Sequence, residues 1–89
     1  MNQPYLEVTY RRGKPFAAYL YLPRRAGERV ARSEAVNELF VIDRAADERP
    51  IGVEIVEPSS VTAEMLNDLL TTLDQPRLPT ADLAPLQVA

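Results

Sequence analysis

Near the start of the chain, Leu6, Val8 and Tyr10 alternate with Tyr5, Glu7 and Thr9. This is the two-residue period of a half-buried strand. Residues 11–15 read as a turn, because Gly13 takes positive φ freely and Pro15 has no N–H to offer a ladder. A second alternating run, residues 16–22, puts Phe16, Ala18, Leu20 and Leu22 on one side and Ala17, Tyr19 and Tyr21 on the other. The two runs predict a hairpin. Pro, Gly and charges over residues 23–28 form the next loop, and residues 30–36 predict a short strand with Arg32 and Glu34 between apolar ends. The apolar run 39–42 is too short for a stable helix and reads as a strand buried on both faces. Asp43 opens a polar turn, after which Ile51, Val53 and Ile55 alternate with Gly52 and Glu54 up to Pro58. These last two strands predict a second hairpin, and Gly52 marks a bulge or the close approach of another chain.

The period then changes. Thr62 is the expected N-cap of a helix, with Val61 and Leu66 as a hydrophobic staple and Glu64 in the first turn. Leu66, Leu69, Leu70 and Leu73 follow at helical spacing, and Pro76 is expected to end the helix just before it. Residues 76–89 hold three prolines and no period, which predicts an extended or disordered tail whose Leu78, Leu83, Leu86 and Val88 are free to lie across a neighbouring subunit. The expected fold is α+β: one domain over residues 1–75, with a curved antiparallel sheet of four to five strands covered on one face by a C-terminal helix.

Composition narrows the chemistry. The 89 residues include no Cys, His or Trp, so disulfides, thiol nucleophiles, His-based triads and the usual zinc or iron–sulfur ligand sets are excluded. Neither a metal nor any other cofactor is expected. The net charge is −3, unevenly spread: residues 1–33 sum to +5 and residues 34–89 to −8. Such polarity predicts either a basic patch for a polyanion or charges that pair within a fold or homo-oligomer. No apolar stretch has the roughly 20 residues that span a bilayer, and residues 1–4 lack the features of a signal peptide, so the expected location is the cytoplasm.

Four blocks of the chain resemble the YuzE-like family of small bacterial proteins, a domain of unknown function. They are Thr9-Tyr10, Ala17-Ala18-Tyr19-Leu20-Tyr21-Leu22, Phe40-Val41-Ile42-Asp43 and Gly52-Val53-Glu54-Ile55, of which the last is the most specific. The likeness runs from Val8 to Ser59 and implies a compact sheet domain, with relatives placed beside small toxin-like proteins. Arg11 and Phe16 stand near positions where the family has acidic residues, and Ala45 and Glu48 replace the Asp and Gly of its later turn.

Three functional readings follow from these residues. The first is a non-enzymatic protein acting through association, as a homo-oligomer or with a protein partner. Its candidate surface is Tyr19, Tyr21, Arg24, Arg25 and Glu54, since Tyr is favoured in subunit interfaces. The second uses the same tyrosines and arginines in an antitoxin-like, nucleic-acid-linked regulator, through stacking beside cations. It is weakened by the acidic balance and by Arg11, Arg12 and Lys14 lying at the opposite end of the strand from Arg24 and Arg25. The third is a hydrolase pairing Asp43 with Glu54. Against it, an Asp at a strand end ordinarily caps a turn and an outward Glu ordinarily meets water.

Overall fold

The computed structural model describes residues 3–87. Five strands form one open antiparallel sheet: β1 (Tyr5–Arg11), β2 (Lys14–Tyr21), β3 (Arg32–Ala35), β4 (Phe40–Arg44) and β5 (Pro50–Ile55), in the order β1-β2-β5-β4-β3. A 3-10 turn (Pro58–Ser60), the helix α1 (Ala63–Thr72) and a longer 3-10 segment (Thr80–Gln87) complete the chain.

The first hairpin turns through Arg12 and Gly13, both at positive φ (54° and 77°), the conformation of a two-residue primed turn. Continued without a break, the pairing of Arg11 with Lys14 and of Tyr10 with Pro15 would set Leu6 opposite Tyr19. The register instead slips between Thr9 and Tyr10, leaving Phe16 as the extra residue on β2. The bulge restores Leu6 opposite Leu20 and Val8 opposite Ala18, so the apolar positions of both strands share a face. Phe16 was expected on that face. As the bulged residue it is half exposed, with the Arg11 guanidinium 4.1 Å from its ring centroid.

Burial follows the apolar positions on β4 and β5. Phe40 and Ile42 of β4 and Ile51, Val53 and Ile55 of β5 are buried. The expectation that residues 39–42 are buried on both sides is corrected: Val41 and Asp43 are only half-buried, because their side of the sheet is not in the main core. The predicted strand 30–36 shortens to β3, an edge strand exposed along its whole length.

Thr62 caps α1 as predicted, its Oγ1 accepting from the Met65 N–H at 3.1 Å. The helix ends by a different device from the expected proline stop. Asp74 adopts left-handed φ (57°), its N–H bonds Thr71 O, and the Gln75 N–H returns to Leu70 O, which is a Schellman closure.

The expected extended tail is also corrected. Leu83 is fully buried and Leu86 nearly so, both in one cluster with Leu66 and Leu70 of α1 and Leu20, Ile42, Val53 and Ile55 of the sheet. The helix is therefore not the last element, and the fold extends through Gln87; Val88 lies outside the described residues. Buried Asn67 fixes the entry to this segment, donating from Nδ2 to Leu78 O at 3.0 Å and accepting from the Leu78 N–H at 2.7 Å. A 3-10 turn brings residues three apart to one side, so Leu83 and Leu86 face inward together despite Pro85.

Candidate functional site

Tyr19, Tyr21 and Glu54 occupy the side of the sheet opposite the buried strand positions. Two rows of paired residues define this outer face. One runs Tyr5, Tyr21, Gly52, Asp43, Ser33 across all five strands; the next runs Glu7, Tyr19, Glu54, Val41, Ala35. Non-local strand pairing thus assembles residues from five separate segments.

Tyr19 reaches from the second row into the first. Its hydroxyl passes over Gly52 and donates to Asp43 Oδ2 at 2.7 Å. A Cβ at position 52 would stand 1.8 Å from the Tyr19 hydroxyl oxygen, so only glycine leaves the path open. The expected close approach at Gly52 is therefore real but comes from a side chain of the same molecule. The bulge is one residue away, at Ile51, which the pairing of Asp43 with Gly52 and Arg44 with Pro50 leaves unmatched. Ser33 donates to Asp43 Oδ1 at 2.6 Å.

The Tyr21 ring meets Tyr19 edge-on at 4.7 Å between centroids and lies 6.1 Å from Tyr5, within the range of favourable aromatic pairs. Arg24 closes the end of the cluster. Its Nη2 donates to Ile51 O at 2.7 Å and its guanidinium lies 5.6 Å from the Tyr21 ring centroid, while its buried Nε has no hydrogen-bond partner among the described residues. Burial first, then the Asp43 carboxylate, pushes the Tyr19 phenol up to about 12, against an opposing pull from Arg24. Tyr19 is therefore a neutral donor at ordinary pH.

This geometry constrains the chemistry. Asp43 accepts a hydroxyl on each oxygen, an arrangement that holds strands β2, β3 and β4 together. Glu54 is exposed and has no ion-pair partner among the described residues. Among those residues no group of three or more acidic side chains could hold a metal ion, and no helix is long and apolar enough to cross a membrane.

Of the five residues singled out from sequence, four come together: Tyr19, Tyr21, Arg24 and Glu54. Arg25 does not. It lies in the following loop with its side chain 76% exposed, facing Asp47 at 3.9 Å. Two pairs join the basic first part of the chain to the acidic second, Arg25 with Asp47 and Arg32 of β3 with Glu48, while Glu28 and Arg49 pair in the opposite sense. Tyr5, Ser33 and Gly52 are members of the site that sequence reasoning did not assign to it. For Tyr5 a signal existed, because it shares strand parity with Glu7 and heads the hairpin opposite Tyr21. Comparison with family models, curated proteins and solved structures returned no match.

Proposed function

We propose that this chain is a non-enzymatic, cytoplasmic protein that acts by association, with the outer sheet face around Tyr19 and Tyr21 as its contact surface and a second copy as its first partner. The observation that carries this reading is the continuous row of Tyr5, Tyr21 and Tyr19, held in place by the Tyr19 to Asp43 bond and ending in a half-exposed Tyr5. Tyrosines with fixed rings offer large contact area while losing little conformational freedom on binding. The thin core of an 89-residue chain also gains from a partner. In this reading α1 covers the inner face of the sheet, and the fold is that of the YuzE-like proteins the sequence resembles. The nucleic-acid reading has less support, since Arg24 is engaged by Ile51 O and Tyr21, Arg25 faces Asp47, and Glu7 and Glu54 flank Tyr19. Sedimentation equilibrium tests association. A mass well above 10.0 kDa that falls on dilution supports it, and a constant mass of 10.0 kDa overturns it.

A further inference from the structure

Arg11, Arg12 and Lys14 sit at the exposed tip of the first hairpin and line an open concavity together with Pro15 and Phe16. Arg25, Arg32, Arg44, Arg49 and Arg77 make ion pairs; the three clustered cations of the tip, like the separate Arg24 and Arg29, make none among the described residues. Arg12 also holds φ of 54° at the first turn position, where Asn or Gly is usual and another L residue is strained by about 1 kcal/mol. A strained arginine kept at the apex, beside an exposed Phe16 stacked under Arg11, points to use of this tip.

Resting on the association reading above, we infer that the basic tip of one copy docks on the outer face of another, with Arg11, Arg12 and Lys14 against Glu7 and Glu54 and with Phe16 against the tyrosine row. Charge complementarity selects this occupant. Glu7 and Glu54 flank Tyr19 in one row and have no ion-pair partners among the described residues. Within one chain the two groups make no ion pair among the described residues. Four residues of strand set the Glu7 and Arg11 backbones about 13 Å apart. A second copy brings them into contact. The contact joins two different surfaces, so it propagates into a ring or a chain of copies. Exposed charges set its register and its salt dependence, while Phe16 and Tyr5 supply buried area.

The test uses two charge-reversed variants, Arg11→Glu/Arg12→Asp/Lys14→Glu and Glu7→Lys/Glu54→Lys, with circular dichroism to verify that each is folded. In 0.1 M salt the wild-type mass should exceed 10.0 kDa and drop in 1 M salt. Each variant alone should sediment near 10.0 kDa, and an equimolar mixture should regain the larger mass, because the mixture restores a basic tip facing an acidic face. Wild-type association that survives in both variants would overturn the docking mode while leaving association intact. A monomeric wild type would overturn both. If a mixed-sequence oligonucleotide is shifted by the wild type and not by the tip variant, while that variant keeps the wild-type mass, the tip belongs to nucleic acid and the inference fails.

Discussion

The Tyr19 hydroxyl reaches Asp43 only because residue 52, lying between them on the central strand, has no side chain. A Cβ there would stand 1.8 Å from the phenolic oxygen. Gly52→Ala should therefore push the ring off its path and break the bond to Asp43. The expected loss is about 1–3 kcal/mol by urea denaturation, as for other overpacked sites. In a Tyr19→Ala background the clash is gone, and the same substitution should change stability by less than about 0.5 kcal/mol. Additive costs in this double-mutant cycle would show that Gly52 serves some other contact.

The same bond predicts alkaline behaviour. The folded-state phenol titrates at about 12 and the unfolded one at 10.0. Below pH 10 both are protonated and the contribution to stability is fully present; between pH 10 and 12 the unfolded chain releases its proton first, so stability falls as pH rises. A sealed group would lose roughly 2.7 kcal/mol over that interval. Tyr19 is half-buried, and solvent screening reduces the expected loss to about 1 kcal/mol. Spectrophotometric titration of the folded protein should show one of the four tyrosines ionising late, and Tyr19→Phe should remove that late step together with the excess alkaline slope in stability.

Much of this architecture is local and therefore legible in sequence. Thr62 caps its helix through Met65, three residues on, and the alternation of Ile51, Val53 and Ile55 already states which side of β5 is buried. The assembly of the outer face is not local. Tyr19 and Asp43 are 24 residues apart and meet only because β5 inserts between β2 and β4, a strand order that no alternation specifies. The bulge at Phe16 is an intermediate case. The turn at Arg12 and Gly13 proposes one register, the apolar pattern demands another, and the extra residue reconciles them. The Schellman closure at Asp74 was hidden because the left-handed residue is an aspartate rather than the usual glycine.

The terminal segment supplies a third prediction. Its three prolines suggested an unpacked tail, yet Leu83 is fully buried and the Leu78 backbone is held by both ends of the Asn67 amide. Leu83→Ala should destabilise the protein by about 2–5 kcal/mol, the range for core truncations. Asn67→Ala should cost about 1–3 kcal/mol, since it leaves the Leu78 N–H and C=O without partners. Chemical denaturation separates this arrangement from a free tail, in which neither change would exceed about 0.5 kcal/mol.

Asp43 and Glu54, two of the carboxylates of the outer face, should respond differently to removal. Asp43 accepts from Tyr19 on one oxygen and from Ser33 on the other, joining three strands, whereas the Glu54 side chain is exposed and makes no hydrogen bond or ion pair among the described residues. Asp43→Ala leaves the half-buried Tyr19 hydroxyl without its acceptor and cuts the tie to exposed Ser33, and should cost about 1–3 kcal/mol. Glu54→Gln should leave monomer stability within about 0.5 kcal/mol. A catalytic pair predicts something else: both substitutions would abolish one hydrolytic activity, with stability a secondary matter. Denaturation of both variants, beside a screen of wild type and variants against ester and phosphoester substrates, separates the two accounts. A strongly destabilised Asp43 variant, an unaffected Glu54 variant and no turnover dependent on either residue would make Asp43 a structural tie between strands and leave Glu54 to recognition.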